Sequence, residues 1–297
     1  PIVMLMVSSI TTTSSSMENN VKVTSEQTLN EAQKQFTTYL KTLSQPVDLL
    51  TRKNEVKHLE DQGTLSDNVK AVRDSLIASV KVTNGAERAF FATNTNLEIT
   101  GWGEYNPETG KTLSKGGLEN GVDRTKEVWY TDCKGLKARN SIYAYFSKPY
   151  YSKDFDKTII TVSQEIKHTN NENYGVVGMD IDFSEVTEYV QNIGLLNTGY
   201  VLLVDSNGQV IVDNERNTYC SGSVTSLGFW DKLNSYKGSE NEYGINIFSE
   251  KINGENVEVI ATKDEVTGWT LVGFVSDKET ASVVSKITTA TVRTGAV

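Results

Sequence analysis

NYGVVGMDID, residues 173–182, is the stretch on which the fold turns. It is a short apolar run that ends in two acids, Asp180 and Asp182. Just upstream, KTIITVSQEI (157–166) is β-branched and alternating, the pattern of a strand with one face on a core. Downstream, SEVTEYVQNIG (184–194) takes a helical period and stops at Gly194, a common helix terminator.

The same alphabet spreads outward in both directions. AFFATNTNLEITGW (89–102) reads as strand, Asn-rich turn, strand, and DNVKAVRDSLIASV (67–80) before it is helical. GYVLLVDSNGQVIVDN (199–214) is a hairpin turning at Ser-Asn-Gly. EYGINIFSEKINGENVEVIATKDE and GWTLVGFVSDKE supply three more strands, and ETASVVSKITTATVRTG is a final helix. Tight turns separate these strands, without regular crossover helices, so the sheets are expected to be antiparallel and the class α+β.

Residues 17 to about 60 read as one long helix. Leu29, Phe36, Leu43 and Leu50 recur every seventh residue, with Ala32, Leu40 and Val47 between them. Some 35 residues at ~1.5 Å each make a rod of roughly 50 Å, and Pro46 is expected to bend it. Such a rod outruns one small core. It serves as a spine for more than one module or packs against a second copy.

Bulk composition excludes several function classes. The 297 residues carry a net charge of −9, with 37% apolar and 23% charged residues, which suits a folded chain of roughly two domains. No basic stripe of the kind that holds nucleic acid is visible. Cys133 and Cys220 lie far apart, and His58 and His168 have no metal-ligand spacing. Asp180 and Asp182 could in principle do acid–base work, but no nucleophile motif, phosphate loop or dinucleotide fingerprint accompanies them. No catalytic residue, metal or cofactor is therefore expected. The apolar start, PIVMLMVSSI, is either the last turns of a membrane-spanning helix or an incidental hydrophobic end.

VWYTDC, SKPYYSKDFDKTIITVSQEI, YGVVGMDIDFSEV, TGYVLLVDSNGQVI and GWTLVGFV, in that order and spacing, resemble the double Cache (dCache) sensor domains of bacterial chemoreceptors and sensor kinases. The resemblance covers nearly the whole chain. It implies a long membrane-emerging helix (1–60) carrying two PAS-like modules. These are a membrane-distal ligand-binding module (61–190) and a membrane-proximal module (191–276), followed by an exit helix (277–297) toward a second membrane segment. It also implies an extracytoplasmic, membrane-tethered receptor fragment that binds a small molecule, performs no catalysis and pairs as a homodimer through the long helix. The apolar start is then a trimmed membrane segment.

In amino-acid-binding relatives, an Arg two residues before a Trp-Tyr pair grips the ligand carboxylate, and an Asp in a GxxGxD strand grips its ammonium. Carried over, the pair is Trp129 and Tyr130, the Tyr of a later Pro-Tyr-x-Asp segment is Tyr150, and the ammonium-binding Asp is Asp180. Three positions depart: Glu127 stands for the Arg, Val122 for an upstream Tyr, and Ser152 for the later Asp. Like charges ~4 Å apart repel by about 4 kcal/mol at an effective dielectric near 20. Glu127 therefore opposes a carboxylate in that orientation unless Arg124 or Lys126 swings in.

Two acids beside aromatic faces suit a cation, at roughly 0.5–2 kcal/mol per cation–π contact. The expected ligand is an amine or quaternary ammonium, with Trp102 and Tyr105 as further walls. Alternatives stay open: Trp129 and Tyr130 as plain core, Glu127 facing solvent, an amino acid held by Arg124 or Lys126, a ligand-free protein-binding ectodomain, or a ligand in the proximal module. A register slip is expected to exchange which of Asp180 and Asp182 faces inward.

Overall fold

The protein is described by a computed structural model. It covers residues 2–60, 65–106, 111–119, 123–168, 170–235 and 244–295, with side chains over 15–60, 65–101, 123–168, 170–235 and 244–286. Helix α1 (Ile2–Thr51) supplies residues to two compact units. One unit holds residues 37–186 and 265–267; the other holds 1–36, 187–264 and 268–297.

All seven positions of the α1 stripe are buried, from Leu29 to Leu50. The stripe thus covers cores within this chain. Most outward positions, among them Gln27, Glu31, Lys34, Thr38, Lys41 and Gln45, are polar and exposed, while Val23 and Leu49 are exposed and apolar. The helix ends at Thr51, short of the expected 60, because Lys53 turns to an extended backbone (ψ 134°) before the single turn α2 (Asn54–Lys57).

In the unit of residues 37–186, α3 (Leu65–Val82) precedes a seven-stranded antiparallel sheet. Its strands are β1 (Ala86–Thr93), β2 (Glu98–Asn106), β3 (Lys111–Glu119), β4 (Tyr145–Phe146), β5 (Tyr150–Ser152), β6 (Lys157–Lys167) and β7 (Asn173–Asp182). The order is β3-β2-β1-β7-β6-β4, with β5 also paired to β6. β7 is central between β1 and β6, and both its faces are covered, so its sequence reads as a continuous apolar run. Asn96 (φ 66°) turns β1 into β2. Helix α3 lies so close to β2 that a Cβ on Gly101 would sit 2.7 Å from the Leu76 Cβ. Between β3 and β4 come a 3-10 turn (Arg124–Lys126) and the single-turn helix α4 (Val128–Thr131). Helix α5 (Ser184–Gln191) follows β7.

The other unit carries a six-stranded antiparallel sheet in the order β10-β9-β13-β12-β11, with β8 added beside β9. The strands are β8 (Gly194–Leu195), β9 (Gly199–Val204), β10 (Val210–Val212), β11 (Asn246–Ile252), β12 (Glu255–Lys263) and β13 (Thr270–Ser276). Gly194 opens β8 and does not cap α5, which ends at Gln191. Gly208 (φ 78°) makes the expected hairpin turn after β9. Phe229 and Trp230 of α6 (Gly228–Ser235) fill the core with Tyr200 and Phe274, and Tyr219 stacks on Tyr200 and tilts against Phe274. Phe36 of α1 packs against Tyr189 and Trp269. Helix α7 (Asp277–Gly295) closes the chain, and Glu279 in its first turn accepts the N–H groups of Asn197 and Thr198. Among the described residues no helix is long and apolar enough to cross a membrane.

Candidate functional site

The β1–β2 hairpin fixes the segment of residues 123–133, which carries Glu127, Trp129 and Tyr130. Asn96 Oδ1 accepts the Arg124 N–H at 2.8 Å, and Glu98 accepts Arg124 Nε at 2.6 Å. Asp123 caps the 3-10 turn by accepting the Thr125 N–H (3.1 Å). Ser163 of β6 donates to the Trp129 carbonyl at 2.7 Å, which pins α4 over the sheet. Trp129 then leans on Phe90, with ring centroids 4.6 Å apart.

A cavity of about 610 Å³ opens between this segment and β4–β5. That is within the ordinary size range of small-molecule sites. Of the sequence-predicted residues, Glu127, Trp129, Tyr150 and Ser152 line it, and so does Arg124. Tyr130 and Asp180 are not on its wall. Tyr130 is 1% exposed, packs with Ala92, Cys133 and Val176, and hydrogen-bonds Asn173 through its hydroxyl (3.0 Å). It is core, whereas Trp129 beside it lines the cavity. Lys126 pairs with Asp123 at 2.9 Å with its side chain 82% exposed, and it does not line the cavity. Trp102 and Tyr105 sit in the β2 backbone, but their side chains, like all of Val122, lie outside the described residues.

Asp180 corrects the picture of two available carboxylates. It is 1% exposed beneath the cavity. Its Oδ2 accepts Arg88 Nε at 3.0 Å and Nη2 at 2.7 Å, and its Oδ1 accepts the Thr161 hydroxyl at 2.8 Å. Burial pushes the Asp180 carboxyl up from its ordinary value, and Arg88 and Thr161 offset this only in part. Tyr150 donates to the same oxygen at 3.5 Å, and burial together with the Asp180 charge pushes its phenol up to about 12. An amine arriving at Asp180 would have to displace a guanidinium.

Asp182 is on the same face as Asp180, since residues two apart in a strand share a face. Depth along β7, and not register, distinguishes them. Asp182 lies at the strand end, bound to Lys157 (3.0 Å) and to the Ser184 N–H (2.8 Å).

Arg88 is the residue that sequence reasoning missed. A charged residue beside the apolar AFFA run of β1, directly across from Asp180, is the signal that could have found it. Its guanidinium also reaches Asp154 (3.2 Å) and lies over the rings of Phe90 and Phe155. The cavity wall thus holds four cations, Arg88, Arg124, Lys148 and Lys153, against three acids, Glu127, Asp132 and Asp154. Among the described residues no group of His, Cys, Asp and Glu could hold a metal ion.

The model of a Cache-domain family, dCache_1, matches residues 10–284. Over 156 residues the chain is 26% identical to the methyl-accepting chemotaxis protein McpB of Bacillus subtilis (strain 168), covering 52% of this chain and 21% of that protein. It spans about a fifth of the length of the curated relatives it matches. Among solved structures, it is similar to the ligand-binding domain of the Campylobacter jejuni chemoreceptor Tlp3 in complex with L-norvaline. That match has a TM-score of 0.64 and 19% identity, covering 91% of this chain and 94% of that one. The ligand-binding domain of Mlp24 with asparagine gives a TM-score of 0.58 and 17% identity, covering 91% and 99%. At these identities the likeness is one of fold.

Proposed function

The chain belongs to the dCache_1 family of Cache domains, and from that membership we propose that it is the extracytoplasmic sensing region of a bacterial membrane chemoreceptor. Its activity is binding, not catalysis. The ligand of this reading is an α-amino acid held in the 37–186 unit.

One observation carries the choice of ligand. Arg124 Nη1 and Glu127 Oε1 stand 3.8 Å apart on the cavity wall, each partly exposed. Glu98 holds Arg124 from behind. An α-amino acid carries its carboxylate and ammonium side by side. Arg124 takes the carboxylate, Glu127 takes the ammonium, and Trp129 and Tyr150 enclose the rest. The acid at position 127 ceases to be repulsive once a guanidinium adjoins it. That relatives in fold are described in complex with norvaline and asparagine supports the reading.

A second reading keeps an amine without a carboxylate as the guest. Glu127, Asp132 and Asp154 among the rings of Trp129, Tyr145, Tyr150 and Tyr151 favour it. The four cations on the same wall, and the Arg88 partner of Asp180, weigh against it. A homodimer along α1 would bring together its exposed polar positions, such as Gln27, Lys34 and Lys41, because the apolar stripe is already used.

Titration calorimetry with the standard α-amino acids, choline and putrescine separates the two readings. Heats from amino acids alone support the zwitterion site, and heats from choline or putrescine alone overturn it. Charge-assisted hydrogen bonds contribute about 1.5–3 kcal/mol. The pair Arg124→Gln/Glu98→Gln, which leaves no buried charge unpaired, should therefore weaken an amino acid by roughly 10–100-fold. Lys126→Ala should leave the affinity as it was.

A further inference from the structure

We propose that Arg88 forms a second anion subsite in this cavity, and that the ligand carries a second carboxylate: an acidic amino acid or a closely related dicarboxylate. The proposal rests on the α-amino-acid reading and extends it to the ligand side chain.

Arg88 and Arg124 are built alike. Each guanidinium is anchored by a carboxylate buried in the sheet, Asp180 (side chain 1% exposed) for Arg88 and Glu98 (6%) for Arg124. Each also meets a carboxylate at the rim, Asp154 at 3.2 Å (58% exposed) and Glu127 at 3.8 Å (43% exposed). The buried partner fixes position and direction. The rim partner is a solvent-screened ion pair, which is weak. An incoming carboxylate can therefore take the place of Asp154 at small cost while Asp180 keeps the guanidinium still. The Phe90 and Phe155 rings restrain it further, with centroids 5.8 and 5.4 Å from the guanidinium carbon. A fixed planar fork of this kind is suited to a carboxylate. With Arg124 occupied by the α-carboxylate, Arg88 is left to meet an anionic side chain. Lys148 and Lys153 on the same wall add positive potential, and Asp132 opposes it together with the rim acids Glu127 and Asp154.

The test is calorimetry on the whole chain with aspartate and asparagine, glutamate and glutamine, and valine. The acidic member of each pair should bind about tenfold or more tightly than its amide, the size of one charge-assisted hydrogen bond. Arg88→Met alone strands a buried carboxylate, so the variant to use is Arg88→Met/Asp180→Asn, with its melting curve checked. In it the acid-over-amide preference should vanish. Asp154→Asn, at an exposed rim position, should tighten the acidic ligand by removing its competitor. Equal or reversed affinities in the unmodified chain overturn the second subsite while leaving the α-amino-acid reading standing. Persistence of the preference in the double variant, or weaker acid binding in Asp154→Asn, overturns the role of Arg88. Failure of every amino acid to bind overturns both proposals.

Discussion

Arg88 donates two hydrogen bonds to a single oxygen of Asp180, at 3.0 and 2.7 Å, from the strand directly beside it. This pair ties β1 to the centre of the sheet and decides the charge at the cavity floor. A carboxylate read from the sequence as the anchor for an ammonium is spent inside the protein. The electrostatic character of the cavity follows from the guanidiniums it holds in place.

Removing Arg88 alone should be severe. Breaking a buried pair by deleting one partner costs about 3–5 kcal/mol, because the other charge stays buried. Urea unfolding of Arg88→Ala at pH 7 should show that loss, and adding Asp180→Asn should recover much of it. The pH dependence has a definite sign. With Arg88 gone, burial acts on Asp180 against only the Thr161 and Tyr150 hydroxyls and raises its folded value further above the unfolded one. The folded state then binds the extra proton, so stability falls as pH rises through the window above about 3.9. The deficit of Arg88→Ala should therefore shrink on acidification; a deficit that grows would contradict the assignment.

Asp182 should behave in the opposite sense. Burial raises its carboxyl, but the Ser184 N–H and Lys157 outweigh burial and hold it below the usual carboxylate range. Its contribution is present above the unfolded value and lost as pH falls through the folded one. Asp182→Ala should cost about 1 kcal/mol at pH 7, as loss of a group accepting at a helix start does. The gap to the unmodified protein should close in strong acid, read by thermal melting across pH.

The two cysteines should separate cleanly by reactivity. Cys133 is 1% exposed, and burial pushes its thiol up to about 12. Cys220 is partly accessible, with its thiol raised less far by burial. The thiolate is the reactive form, so an aromatic disulfide reagent at pH 8 should modify one thiol in the folded protein, Cys220. Cys133 should follow only with unfolding. Equal rates for both would show that Cys133 is not packed among Tyr130, Ala92 and Val176 as described.

Much of this architecture was legible because its signals are local. The period of α1 marked its buried face residue by residue, and the acid-ended run at 173–182 is β7 with the same bounds. Pairing across strands left no such mark. Arg88 and Asp180 are 92 positions apart in sequence, and only the β1–β7 register brings them together. Arg124 and Lys126 were both open candidates in the sequence for a similar reason, since the direction of Arg124 is set by Asn96 and Glu98 in a different hairpin. Gly194 misled because a glycine ending a periodic run marks a cap only where the backbone turns left-handed, and here it begins a strand.

Gly178 links the fold to the cavity through one ring. It sits in β7 opposite Phe90 of β1, and a Cβ there would come within 2.2 Å of the Phe90 ring. Phe90 is 3% exposed and forms the support against which Trp129 rests. In Gly178→Ala the ring must leave its place, and overpacking of a tight core costs typically 1–3 kcal/mol. Trp129 loses its backing at the same time, so ligand affinity should fall together with stability. The two effects can be separated. Gly178→Ala/Phe90→Leu makes room for the methyl and should regain stability beyond the sum of the single changes, since neighbours couple. It should not regain affinity, because leucine offers Trp129 no ring to pack against. Calorimetry and urea unfolding on the four proteins of this cycle give both readouts. Recovery of affinity along with stability would mean that Trp129 needs only a filled volume behind it, and that its tilt on Phe90 has no part in shaping the wall.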